Sequence, residues 1–134
     1  MAIGGDFVEI TFNHPDHGSG VLLPKAGEEG TLELGGYRSD DDDNGIDGGG
    51  NMIDIMKRVR PSFSCPIAWD MVSEETLEKL DKLAGSTKPA NWTFTHISGV
   101  IYGGKGKPVG SISGNGGAAT TALKVAGSNK FKKQ

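Results

Sequence analysis

One cysteine, Cys65, stands in a chain of 134 residues. A lone thiol excludes an internal disulfide framework and any four-cysteine zinc site. No run of about 18 apolar residues occurs, so no segment reads as a membrane-spanning helix. Met1 to Asp6 holds no basic stretch followed by an apolar one, and no secretory signal is expected there. Basic residues are outnumbered, 14 against 17 acidic, for a net charge of −3. Nucleic-acid binders carry the opposite balance. Apolar residues are scarce as well: Leu, Ile, Val and Phe make up about 22% of the chain, close to the roughly 20% below which chains become disordered.

What the chain has in surplus is glycine, 22 residues, in a length that suits one domain, residues 1–134. Two Trp and five Phe argue for a core, though a thin one. Phe7 to Phe12 alternates, with Val8, Ile10 and Phe12 on one face, which predicts a half-buried strand. His14 to Gly18 turns the chain, Val21 to Pro24 is a short apolar run, and Thr31 to Leu34 alternates again before Gly35-Gly36. Residues 39–51 read as a Gly/Asp-rich loop that cannot order itself. Met52 to Arg60 reads as a strand, with helix possible. Phe63, Cys65 and Ile67, in a stretch that holds Pro61 and Pro66, fit an edge strand that tolerates proline.

One helix is expected, over about residues 73–84. Ser73 is its N-cap candidate, Glu74 and Glu75 fill the first turn, and Leu77, Leu80 and Ala84 form a stripe that Gly85 ends. Beyond it, Trp92 to His96 and Val100 to Tyr102 alternate. Pro108 to Ser113 and Thr120 to Ala126 read as strands around the turn signal Gly114-Asn115-Gly116-Gly117. Many short strands and one helix make a mainly β fold, an antiparallel barrel or sandwich with a single packed helix.

Several motifs imitate chemistry and fail on context. Asp40-Asp41-Asp42-Asp43-Asn44-Gly45 opens like a calcium loop, but its twelfth position is Asn51, and Gly48 to Gly50 cannot begin an exiting helix. Gly99 to Lys105 has phosphate-loop spacing, yet Gly106 stands where the magnesium-binding hydroxyl belongs. Gly114, Gly116 and Ala119 mimic a dinucleotide fingerprint with too little chain behind them. His14, Asp16 and His17 could face a metal, though a turn whose Asp bonds its own backbone is the plainer reading. Cys65 reads as a small buried hydrophobe. No cofactor and no catalytic group are expected.

Three stretches together carry a resemblance. One is Leu22-Leu23-Pro24 followed by Thr31-Leu32-Glu33-Leu34-Gly35-Gly36 and a polar hairpin loop. Another is Arg60-Pro61-Ser62-Phe63-Ser64-Cys65, leading into a helix with Leu77, Leu80 and Leu83. The third runs from Gly106-Lys107-Pro108-Val109-Gly110 through Asn115 and closes with Leu123-Lys124-Val125-Ala126-Gly127-Ser128. In this order they resemble the tail tube proteins of contractile-tailed bacteriophages, which have relatives in contractile bacteriocins and bacterial injection systems. The long aspartate and glycine loop departs from that pattern.

The resemblance implies a structural subunit that stacks as hexameric rings inside a contractile sheath, with strands from each subunit shared in an inner barrel. Phage DNA would pass through without specific binding. Partners would be further copies of the chain, the sheath, the baseplate and the tail terminator; the place would be the virion, after synthesis in the host cytoplasm. Six subunits giving four strands each would close a barrel about 48 Å across at its backbone, wide enough for a duplex. Subunit and ring contacts are expected at Asp40, Asp41, Asp42, Asp43, Asn44, Ile46, Asp47, Met52, Arg58 and Arg60. The alternative is a monomeric β-sandwich binding module that uses the acidic loop for calcium or carbohydrate.

Overall fold

A computed structural model describes residues 1–39, 44–72 and 75–134. Its main sheet has nine antiparallel strands among the described residues. Seven follow one path: β2 (Gly18–Leu22), β1 (Phe7–His14), β9 (Ala90–His96), β10 (Ile101–Pro108), β12 (Thr120–Gly127), β8 (Ser62–Ala68) and β3 (Thr31–Glu33). Two short strands join from the side, β11 (Gly114–Asn115) on β12 and β13 (Lys132–Lys133) on β10. Among the described residues no continuous ladder closes the sheet into a barrel. The single bridge Pro24↔Ile67 nevertheless brings the chain after β2 alongside β8, near the opposite end of the path, so the sheet curls toward itself.

That curl wraps an aromatic core. Phe63 and Phe94 stack with ring centroids 4.1 Å apart, and Trp92, Phe12, Phe131, Ile10, Ile67 and Val125 fill the space around them. Trp92 satisfies its indole N–H on the Gly106 carbonyl at 2.9 Å, as a buried indole must. The only helix among the described residues, α1 (Thr76–Gly85), adds Leu80 and Leu83 to the core. The architecture is the mainly β, one-helix fold expected, with local departures.

Helix α1 starts at Thr76. The expected cap, Ser73, lies with Glu74 outside the described residues, and Glu75 at the cap makes no side-chain capping bond. The buried stripe is Thr76, Leu80 and Leu83, which shares Leu80 with the Leu77, Leu80, Ala84 stripe expected and lies one residue earlier at each end. Gly85 is helical, without a positive φ, and Ser86 leaves in an extended conformation. A register shift between Phe7 and Glu9 inserts Val8 as an extra residue, so Val8 is exposed. Phe7 turns inward instead, edge-on to Phe63 at 4.8 Å.

Strand β8 is not an edge strand. It pairs β12 along its length and β3 over Ser62–Ser64. The Pro66 carbonyl accepts from Lys25 N at 3.1 Å. A strand residue's N and O face the same side, so the missing N–H of Pro66 meets the flank where pairing is one bridge rather than a ladder. Pro108 to Ser113 forms no strand beyond Pro108, where β10 ends. Of the false phosphate loop, Gly99 lies in the turn before β10 with a φ of 89°, while Gly103 and Gly104 lie inside β10, where neighbours press close: a Cβ on Gly103 would sit 2.4 Å from the Trp92 carbonyl oxygen.

Candidate functional site

The chain leaves the main sheet at Gly35-Gly36 and returns at Pro61. Both glycines have positive φ, 82° and 98°, and a Cβ on Gly35 would lie 2.8 Å from Pro61 N. A side chain at that corner would be both strained and obstructed. Between the two points stand β4 (Gly36–Ser39) and β7 (Met56–Val59), paired from Gly36↔Val59 to Ser39↔Met56. Farther out, β5 (Gly45–Ile46) pairs β6 (Met52–Ile53). Among the described residues neither pair joins the main ladder.

The base of this hairpin is tied to the segment after β12. Arg58 Nη2 donates to Asn129 Oδ1 at 3.3 Å while its guanidinium lies over the Tyr37 ring. Arg60 Nε donates to the Gly127 carbonyl at 2.9 Å, and Gly35 bridges Lys130. Arg38 pairs with Glu33 at 2.6 Å and also donates to the Gly35 carbonyl. The outer end is organised by short polar side chains. Asn44 Oδ1 accepts from Ile55 N at 2.8 Å, and its Nδ2 donates to Ser39 Oγ at 2.7 Å; Ser39 Oγ also meets Asp54 Oδ1. Asp47 Oδ1 accepts from the backbone N–H groups of Gly49 and Asn51 at 2.8 and 3.0 Å. Those bonds, led by Asn51, hold the Asp47 carboxyl below the usual carboxylate range.

Of the residues expected to make contacts, Asn44, Ile46, Asp47, Met52 and Arg58 thus share one hairpin, with Arg60 at its root. Asp40, Asp41, Asp42 and Asp43 lie outside the described residues. The loop expected over 39–51 is ordered by its own chain where described, as a strand pair closed by an Asp47 turn, contrary to the reading that it could not order itself. Asn44 Oδ1 and Asp47 Oδ1 accept from backbone N–H groups, and Asp47 Oδ2 accepts from Asn51 Nδ2. Their role is to shape the turn.

Sequence reasoning missed the apolar character of this hairpin. Ile46 and Met52 face each other across the ladder and are 73% and 72% exposed; Tyr37, Ile53, Ile55 and Met56 are exposed too. The signal in the sequence is the apolar group Met52, Ile53, Ile55 and Met56, in a segment that reads as a strand with helix possible. Isolated apolar residues on a surface are ordinary, but these six are gathered on one hairpin.

The other candidates are engaged elsewhere. His14 is buried; its Nδ1 accepts from Asp16 N and His17 N, at 3.0 and 3.1 Å, and its Nε2 meets the Lys88 carbonyl at 2.9 Å and Ser86 Oγ at 3.0 Å. The imidazole, not Asp16, therefore organises the turn; Asp16 pairs with Lys88. Burial, reinforced by Asp6 and Glu28, pushes the Cys65 thiol up to about 11, away from nucleophilic use. Among the described residues no group of three or more His, Cys, Asp or Glu could hold a metal, and no helix is long and apolar enough to cross a membrane.

No family model and no curated protein matches this sequence. Among solved structures, the fold is similar to that in the cryo-EM structure of the anti-feeding prophage cap, described as the AFP tube terminating cap. The TM-score is 0.54 at 13% identity, over 100% of this chain and 93% of that one. At that identity the likeness is one of fold.

Proposed function

We propose that this chain is a structural subunit of the tube in a contractile phage tail or phage-like particle. It polymerises as stacked hexameric rings within a sheath, has no catalytic role, and resides in the virion. Sheath, baseplate and tail terminator are its other partners, and DNA passes through the tube without specific binding. The observation that carries this reading is the protruding hairpin, which is polar-braced at its turn and apolar on its flanks. A soluble monomer gains nothing from exposing Ile46 opposite Met52, whereas a subunit buries both against a neighbour. The fold likeness to a protein whose description is that of a tube terminating cap supports the same reading, as does the ordered resemblance of the three sequence stretches.

Light scattering on a concentration series of the purified chain, with negative-stain electron microscopy, tests it. Six-fold rings or tubes are expected. A chain that stays monomeric at its highest soluble concentration overturns the proposal, and a calcium-dependent rise in that monomer's melting temperature would put the binding-module alternative in its place.

A further inference from the structure

The hairpin ends in a two-residue apolar knob. Ile46 and Met52 are directly opposed across the β5–β6 ladder, so their side chains leave the same face about 5 Å apart. The turn beyond them is tied down. Asp47 N donates to the Asn51 carbonyl at 2.9 Å and Gly50 N to the Asp47 carbonyl at 3.0 Å, beside the two N–H groups that Asp47 Oδ1 accepts. A knob held in this way loses little freedom on docking.

A second apolar feature lies where β2 and β8 end. Leu22 is buried in the core, so by the period of two its neighbours Val21 and Leu23 point away from it, and they are 47% and 57% exposed. Ala68 N donates to the Leu23 carbonyl at 2.8 Å, which sets the end of β8 beside them. Val21, Leu22, Leu23 and Ala68 wall a cleft of ≈ 260 Å³, completed by Asp70 and by Thr76 at the start of α1. Two side chains of four heavy atoms, such as one Ile and one Met, occupy about 240 Å³ at roughly 30 Å³ per atom. The sizes agree.

Strand β8 separates knob and cleft. The hairpin returns to the main sheet at Pro61, just before β8, and the cleft wall Ala68 is the last residue of that strand. Six steps of roughly 3.3 Å put about 20 Å between the hairpin root and the cleft. Within one chain Ile46, Met52, Val21 and Leu23 are all exposed, so the hairpin does not fill its own chain's cleft. A second copy brings the matching knob.

We propose that Ile46 and Met52 of one copy seat in the cleft walled by Val21, Leu23 and Ala68 of a second copy. The inference rests on the assembly reading above and names the surface that receives the hairpin. Knob and cleft are different patches, so the contact is heterologous. Each copy gives a knob at one place and takes one at another, the pattern from which rings and stacks grow.

The test is disulfide trapping in the full chain, whose own Cys65 is buried. Ile46→Cys and Leu23→Cys are made in separate chains, mixed where the wild type assembles, oxidised with diamide and run on non-reducing gels. A disulfide needs Cα atoms within about 7 Å, so only direct contact is trapped. A linked pair is expected on mixing and from neither variant alone, with the wild type as blank. A chain carrying both substitutions is expected to give a ladder of dimers, trimers and longer products. Assembly is the second readout. Val21 and Leu23 lie outside the core cluster, and thermal melts followed by circular dichroism verify that Val21→Ser with Leu23→Ser folds. This pair is expected to raise the concentration needed for assembly by roughly 100-fold. Joined to Ile46→Ser and Met52→Ser in one chain, it should cost far less than the product of the two effects, because both pairs remove one contact.

A cleft variant that assembles like the wild type, with no trapped pair, overturns the proposal and leaves the tube reading standing. A wild type that never assembles removes both. Ile46→Cys chains that link to themselves make the contact hairpin to hairpin, and a doubly substituted chain that closes on itself as a monomer assigns the cleft to its own hairpin. Either result overturns the proposal, as do knob and cleft effects that multiply in full.

Discussion

Gly85 and Gly127 are the same residue type under opposite constraints. A Cβ on Gly127 would lie 2.1 Å from the Lys105 carbonyl oxygen, a backbone atom of the facing strand β10, so β10 and β12 would have to part. Gly127→Ala should cost about 2–3 kcal/mol by overpacking and lower the melting temperature by roughly 10 °C. Gly85 has open space around its missing Cβ and an ordinary φ at the end of α1. Gly85→Ala should therefore stabilise by about 0.5–1 kcal/mol. Thermal unfolding of both variants checks the contrast; a stabilised Gly127→Ala or a destabilised Gly85→Ala would refute it. Sequence alone reads both glycines as punctuation, because what presses on Gly127 comes from a strand about twenty residues away. Cys65 was legible as a buried hydrophobe, since a small apolar residue between Phe63 and Ile67 falls on a core face at period two. His14 was not: its two acceptor bonds and its contact with Lys88 depend on a turn meeting the exit of the helix.

At the scale of elements, alternation located most of the main sheet, and the Gly114 to Gly117 turn was legible from its own residues. Asn115 Oδ1 accepts from the N–H groups of Gly117 and Ala118 there. Elements that depend on distant neighbours were less legible. The extra residue at Val8 reverses the faces of the first turn of β1, and Pro66 sits in an interior strand only because the chain at Pro24 leaves a gap in pairing beside it. The hairpin of β4 to β7 carries Asn44, Ile46, Asp47, Met52 and Arg58 of the expected contact residues, but exposed Ile53, Ile55 and Met56 are not among them, so the weight falls on aspartates in sequence and on apolar side chains in the structure. Ile46→Ser with Met52→Ser tests that weighting. Both side chains lie outside the core cluster, so the monomer should lose no more than about 0.5 kcal/mol, as surface changes do. If the hairpin is the contact surface, the pair of changes should raise the concentration needed for rings or tubes by roughly 100-fold or more, as removing two buried apolar anchors does. Unchanged assembly measured by light scattering would take the hairpin out of the interface.

The whole molecule exposes more surface than its mass warrants. A compact monomer of 14.0 kDa presents about 6,700 Å² to solvent, while this chain presents 8214 Å². The excess of roughly 1,500 Å² is close to twice the 800 Å² that one partner contributes to a standard interface. A subunit touching neighbours on two sides would cover an area of that size. The scarcity of Leu, Ile, Val and Phe then has a physical meaning: one core forms around Phe63, Phe94 and Trp92, while Tyr37, Ile46, Met52, Ile53, Ile55 and Met56 stand outside it. Stability should accordingly depend on concentration, because burial in an assembly stabilises the folded state by mass action. A hundredfold increase in protein is worth up to about 2.7 kcal/mol to a fully linked equilibrium, which for a chain of this length raises the melting temperature by up to roughly 10 °C. Differential scanning calorimetry across that range measures it directly. A melting temperature that stays flat while light scattering reports only monomer would mean that the exposed hairpin and the excess surface serve no self-association, and the tube reading would fall with them.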